Sequence, residues 1–338
     1  MTNLQLLWFI LEAVLFSGFF FLEGFDFGVG MAFRTVAKND QEVDALYHAI
    51  GPHWDGNEVW LLTAGGAMFA AIPFWYASLF SGFYLILFFI LLGLIYRGVS
   101  FEFREHMLTS KFRNLWTTIT AISSLVVPFL FGLLFTDVVK GMPMDHLGNI
   151  SAGFFDYVNP FSIVGGVAVA LLSYLHGLNY IQLKIHPSAM NKVVQQQVKV
   201  LYPVLLLGEV AFAVTLFIYT DFFQTKLVAT LAMLVVIVLV SVLAWVTALT
   251  RKQGFAFILT GLAIIAVVVL LFIGLFPRVM VANDPANSIL LKNATSTQYT
   301  LTWMTWISLT MVPIVLAYQG WSFWVFKKRI KVEDATAE

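Results

Sequence analysis

Three acids near the start of the chain sit where acids are least expected. Glu12, Glu23 and Asp26 fall inside one long apolar run. At 100° per residue, Glu23 lies about 20° from Glu12 and Asp26 about 40° to the other side, so on a helix all three share a face about 60° wide. A charged side chain at the centre of a bilayer costs roughly 2.5–3.5 kcal/mol on insertion scales. Such a face is expected to turn toward a bundle interior rather than lipid, and carboxyl groups stacked along it form a ladder that can pass protons. Hydrogen-bonded acids that merely fix helix contacts are the plainer alternative. A second cluster follows. The segment Gly51-Pro52-His53-Trp54-Asp55-Gly56-Asn57-Glu58-Val59-Trp60 opens another apolar stretch. Pro52 suits a first helical turn, and acids are favoured near a helix N-terminus by the macrodipole. His53, Asp55, Asn57 and Glu58 together exceed what capping needs, so the segment reads as a site where protons are taken up from the cytoplasmic side.

Other polar residues carry less. Of six histidines, only His176 lies clearly within an apolar stretch. A chain that held two haems, or a haem and copper, would need several, so His176 reads as a hydrogen-bonded core residue, with a single haem held by His176 and a methionine as the alternative. The absence of cysteine rules out disulfides, thiolate iron–sulfur ligands, covalent c-type haem attachment and a cysteine nucleophile. Glu209 either extends a polar path or pairs with a neighbouring helix. Arg97, Glu102, Arg104 and Glu105 read as a mixed-charge cytoplasmic loop, solvated or touching another subunit. Gly24 and Gly28, spaced as small-x-x-x-small, and Gly30 after them let a second helix approach closely.

The elements that must position these groups are membrane helices. The chain has 338 residues, 60% hydrophobic and 11% charged, against about 45–50% and about 25% in a soluble domain. Its net charge of zero gives a nucleic-acid role no electrostatic support. A span needs roughly 20 apolar residues. About nine candidates are present: 4–33, 59–76, 79–96, 115–138, 161–183, 200–220, 227–249, 255–276 and 301–326. The second and third join in a tight hairpin at Ala77-Ser78. The first helix follows no positive n-region and is read as retained. With these spans, 15 of the 19 lysines and arginines, Arg97 among them, fall on one side and Lys140, Lys226, Arg278 and Lys292 on the other. That asymmetry places the amino terminus outside and the carboxyl terminus in the cytoplasm. Leu22-Glu23-Gly24-Phe25-Asp26-Phe27 and Leu175-His176-Gly177-Leu178-Asn179-Tyr180 are faintly alike. They suggest a parallel repeat, with residues 1–138 as a first four-helix unit and 161–276 as a second. The peripheral ninth helix, 301–326, and a cytoplasmic tail, 327–338, complete a single all-α membrane domain.

Gly24-Phe25-Asp26-Phe27-Gly28-Val29-Gly30 and Pro52-His53-Trp54-Asp55-Gly56-Asn57-Glu58-Val59-Trp60-Leu61 resemble signatures of subunit II of the cytochrome bd type quinol oxidases. Thr63-Ala64-Gly65-Gly66-Ala67, Phe80-Ser81-Gly82-Phe83-Tyr84, Asn159-Pro160-Phe161 and Leu275-Phe276-Pro277 continue the likeness, as do Asn293-Ala294-Thr295-Ser296 and Met304-Thr305-Trp306. It runs along almost the whole chain and is weakest over about 190–254. The resemblance implies a multi-pass protein of the bacterial cytoplasmic membrane and a haem-carrying partner, subunit I. A small single-helix subunit often joins the pair. Haem b and haem d (or a further b) are then expected in subunit I rather than here, with quinol as substrate and lipid around the complex. Quinol oxidation and reduction of dioxygen to water would contribute to a proton motive force. In that frame Asp55 takes up protons, Glu23 and Asp26 relay them, and His53 and Glu58 assist. Two rival classes use the same residues: a stand-alone proton-coupled transporter, and a scaffold that only supports its partner.

Overall fold

The computed structural model describes residues 1–333; the end of the expected tail, 334–338, lies outside the described residues. Fourteen α-helices follow in order: α1 (Asn3–Thr35), α2 (Asp40–Ile50), α3 (Trp54–Ala71), α4 (Pro73–Gly82), α5 (Tyr84–Glu105), α6 (Ser110–Lys140), α7 (Phe154–Tyr157), α8 (Pro160–Lys184), α9 (Ala189–Tyr219), α10 (Phe222–Thr225), α11 (Leu227–Leu249), α12 (Gln253–Leu275), α13 (Leu291–Ala294) and α14 (Gln298–Val325). Eight of them, α1, α5, α6, α8, α9, α11, α12 and α14, are long and apolar enough to cross a membrane. The chain is an all-helical, multi-pass membrane protein. The ends are set by local chemistry. Thr2 and Gln5 form a capping box on α1. Asn159 accepts from the Phe161 and Ser162 amides at the start of α8, with Pro160 in the first turn.

α1 is the central helix. It packs on α3, α6, α8 and α12, and 18 of its 33 residues are buried. Its glycines set the approach. A Cβ on Gly28 would stand 2.1 Å from the Ser173 carbonyl oxygen of α8, and one on Gly30 2.1 Å from Ser124 Oγ of α6. The expected packing role holds for these two, whereas at Gly24 the nearest atom would be 3.6 Å away. α14 is peripheral, with Leu301 its one buried residue.

The second and third spans differ from expectation. Instead of a helix over 59–76, α3 begins five residues earlier and stops at Ala71. Pro73 disfavours the helical conformation at the residue before it, and Ile72 sits at φ −131°, ψ 59°. α4 therefore runs across the expected hairpin at Ala77-Ser78, and the chain turns at Phe83 instead. α3 still runs between the two ends of the bundle. Ala70 and Ala71 accept from Ser296, beside the Lys292 and Thr295 that hold Gln5. At its other end Asn57 reaches Asp26. α5 then continues past the expected end of its span to Glu105, because Arg97, Ser100 and Arg104 are buried within the helix.

The loops 141–159 and 276–297 close the end where α1 begins. Met142 N–H donates to Val281 at 3.1 Å, and Asn287 Nδ2 to the Met144 carbonyl at 3.0 Å. β1 (Arg278–Met280) pairs antiparallel with β2 (Ile289–Leu290). At the opposite end, the chain after α14 is pinned to the end of α8, with Ile330 N–H on Lys184 O at 2.9 Å and His186 N–H on Ile330 O at 2.9 Å.

Candidate functional site

All three acids of the α1 face are buried at 0% exposure, as the shared face requires. Two of them meet partners. Arg97 of α5, itself 0% exposed, donates through Nη1 to Glu23 and to Glu58 Oε1, the latter at 3.1 Å. Its guanidinium carbon lies 4.8 Å from the centroid of the Phe27 ring. One α1 turn on, Asp26 Oδ2 accepts from Asn57 Nδ2 at 2.7 Å. Gln319 of α14 donates to Asn57 Oδ1 at 3.4 Å and accepts from Trp60 Nε1 at 3.0 Å. Four helices thus converge on one polar cluster: α1 supplies Glu23 and Asp26, α3 Asn57 and Glu58, α5 Arg97, and α14 Gln319.

Asp55 is exposed in the first turn of α3, its carboxylate accepting from the Gly56 amide at 2.6 Å. It stands three residues before Glu58, hence on the same side of α3, and Glu58 is half-buried with a 22% exposed side chain. His53, just outside α3, is buried and turned toward α14, its ring stacked on Phe323 at 4.1 Å and 16°. Burial, reinforced by the Lys184 ammonium, pushes His53 down to about 4. The unfolded chain protonates this imidazole near 6.5, the folded chain only near 4, so folding is opposed as pH falls between those values and unaffected above them. Melting temperature in detergent is expected to fall more steeply from about pH 7 to about pH 4.5 in the parent than in His53→Gln; parallel curves would remove His53 from the effect.

Arg97 overturns an expectation. It is no solvated loop charge but the counter-ion of the buried acids, and Arg104 is likewise buried, bonded to Asp44 at 2.6 Å and to Thr117 at 2.9 Å. The missed signal was spacing. Arg97, Ser100 and Arg104 recur at i, i+3 and i+7, the inward stripe of a continuing helix, and three intramembrane acids call for a counter-charge. Gln319 carried no such signal, since one amide in a peripheral helix has none. Glu12 stands apart from the cluster, with neither carboxyl oxygen hydrogen-bonded. Glu209 is held by Ser241 of α11 at 2.5 Å and takes the helix-pairing role.

The family model for cytochrome bd terminal oxidase subunit II matches residues 4–326. The chain belongs to that family. It is 44% identical over 335 residues to the cytochrome bd ubiquinol oxidase subunit 2 of Bacillus subtilis strain 168, covering 99% of each. It is 33% identical to the cytochrome bd-I ubiquinol oxidase subunit 2 of Escherichia coli strain K12, covering 98% of this chain and 96% of that one. A chain in the structure of bd oxidase from Geobacillus thermodenitrificans shares the fold at a TM-score of 0.75 and 13% identity, over 96% of this chain and 99% of that one. Members of the subunit II family are multi-pass proteins of the bacterial cytoplasmic membrane, and this chain is one.

His176 takes the core position expected of it. His176 is buried, its Nε2 3.0 Å from the Phe21 carbonyl oxygen and its ring stacked on Phe257 at 4.4 Å and 8°. Neither His176 nor His53 lines the two large cavities, one of about 810 Å³ bordered by α1, α6, α8, α9, α11 and α12 and one of about 940 Å³ between α1, α12 and α14. Among the described residues no group of three or more His, Asp or Glu could hold a metal ion.

Proposed function

We propose that this subunit II chain pairs with a haem-carrying subunit I in a quinol:oxygen oxidoreductase and supplies it with protons from the cytoplasm. The reading places the amino terminus outside and the cluster at the inner end, where most lysines and arginines lie. The observation that carries it is that Arg97 joins half-buried Glu58 to buried Glu23, with exposed Asp55 three residues before Glu58 on the same side of α3 and with Asp26 and Asn57 one turn away. Structural ion pairs do not need a member open to the surface. Proton delivery does. Asp55 takes up the proton, Glu58, Glu23 and Asp26 pass it inward, and His53 assists by closing the site against α14. Reduction of dioxygen at the partner's haems consumes these protons; this chain holds and orients them.

The outer face of α3 supports the pairing. Asp55, Gly56, Thr63 and Gly66 are exposed, and a Cβ on Gly56, Gly65 or Gly66 would meet nothing within 4 Å. Val59, Leu62 and Phe69 are exposed on the same side, and the bare glycines among them leave room for another helix to approach closely.

Asp55→Asn in the purified complex is expected to retain parental haem content and lose oxygen consumption by about 100-fold, the lower end of the range for a removed proton-transfer group. Parental turnover in that variant would reject Asp55 as the intake group. Parental turnover with Asp55, Glu58, Glu23 and Asp26 all neutralised would leave only a scaffold. A haem-free chain that moves protons alone would leave a transporter.

A further inference from the structure

Glu12 and Glu23 share one face of α1, yet the positions between them on that face are aromatic. The stripe reads Glu12, Phe16, Phe19, Glu23, Asp26, with spacings of four, three, four and three. Phe16 is 4% exposed and Phe19 0%. Phe20 beside them and Phe131 and Phe135 of α6 complete a layer of five rings. Phe16 meets Phe135 at 4.9 Å between centroids, Phe19 meets Phe20 at 5.1 Å and Phe131 at 5.3 Å, and Phe20 meets Phe131 at 5.6 Å and Phe135 at 5.8 Å. The two acids it separates are about 16 Å apart along the helix, roughly half of a hydrocarbon core of about 30 Å. His176 offers no bypass, since it bonds to the Phe21 carbonyl on the opposite face of α1.

We propose that these five rings form a proton-insulating layer. It stops protons held by the Glu23–Asp26 cluster from continuing along the same face to Glu12 and the outer surface. The proposal rests on the reading of that cluster as a proton carrier. Proton movement needs a chain of hydrogen-bonding groups or water, and an apolar constriction stays dry. Without the layer, the α1 acids would line a route from one side of the membrane to the other. An enzyme that builds a proton gradient would then dissipate it through its own subunit. The carboxyl row is open at one end and closed at the other, so protons drawn inward have no continuation along this face.

The test measures leak without turnover. The purified complex is reconstituted in liposomes containing a pH-sensitive dye, and a potassium diffusion potential is imposed with valinomycin in the absence of quinol. The variant Phe19→Ser with Phe131→Ser both opens space and supplies hydroxyls, because a purely apolar cavity of this kind stays dry. Passive proton inflow is expected to rise at least about 10-fold over the parent, since a wetted gap removes the apolar barrier. Uncoupled oxygen consumption should stay within about two-fold. Phe19→Leu with Phe131→Leu keeps the layer filled and apolar and should leak like the parent. An unchanged leak in the serine pair overturns the proposal. So does a leak in the leucine pair as large as in the serine pair, which reports loosened packing. If the serine pair does not assemble, Phe19→Ser alone is read by the same criteria. Failure of the underlying reading shows separately, as parental oxygen consumption in Asp55→Asn.

Discussion

Arg97→Leu is expected to remove most of the folded complex from the membrane. Arg97 is fully buried, is the one cation among the described residues that pairs with both Glu23 and Glu58, and rests on the Phe27 ring. Deleting one partner of a buried ion pair strands the other charge and costs about 3–5 kcal/mol. A domain's whole stability is about 5–15 kcal/mol, so yield in membranes should drop several-fold and any surviving complex should melt earlier. Arg97→Lys should fall between, because an ammonium keeps the positive charge but is more strongly hydrated than a guanidinium and so costs more to bury. The decisive measurement is a double-mutant cycle. Glu23→Leu in the Arg97→Leu background should recover part of the yield, since a buried pair can be replaced by apolar side chains far more cheaply than it can be halved. Arg97→Leu accumulating and melting like the parent would show that Glu23 and Glu58 find partners elsewhere.

The same residue shows where sequence reasoning ran out. The α1 acids were legible because helical periodicity is fixed: Glu12, Glu23 and Asp26 share a face at any register, and lipid excludes that face. All three are buried. The eight long apolar helices were legible for the same reason, since bilayer thickness sets their length. What failed was the place where polarity and span overlap. An arginine at the end of an apolar run looks like a loop charge to any hydropathy argument, and only its partner on another helix makes it an interior residue. α3 was misplaced by the same effect in reverse. Its first turns are polar because they face Asp26 and Arg97, so the apolar stretch appeared to start at Val59, five residues after the helix does. The break at Ile72 was readable from Pro73 but was outweighed by the apolar residues on both sides. Glu12 belonged to the ladder by angle alone. The rings that part it from Glu23 were visible in sequence as Phe16 and Phe19, but Phe131 and Phe135 come from α6, and no one-dimensional pattern joins them.

Gly28→Ala is expected to be far more damaging than Gly24→Ala, although the two glycines lie one turn apart in one motif. At Gly28 a methyl group would stand 2.1 Å from the Ser173 carbonyl oxygen and 2.7 Å from Gly177 Cα, both rigid backbone of α8. No rotamer relieves that collision, so α1 and α8 must separate along their crossing. Overpacking of this kind costs about 1–3 kcal/mol or more, and here it strains the central helix that carries Glu23 and Asp26. At Gly24 the same methyl would find Ile264 Cδ1 at 3.6 Å and His176 Cδ2 at 3.8 Å, ordinary contacts. Alanine there should be neutral or stabilising by roughly 0.5–1 kcal/mol, the usual gain over glycine inside a helix. Melting temperature and membrane yield of the two single variants test this directly, and equal effects would show that α1 and α8 do not meet at this crossing. The reciprocal site gives the same answer from the other helix. A Cβ on Gly177 would lie 2.3 Å from the Gly28 carbonyl carbon, so Gly28 of α1 and Gly177 of α8 are kept bare by each other's backbone. Gly24, which stands opposite Gly177 in the faint likeness between 22–27 and 175–180, is under no such constraint, so this crossing does not account for that likeness.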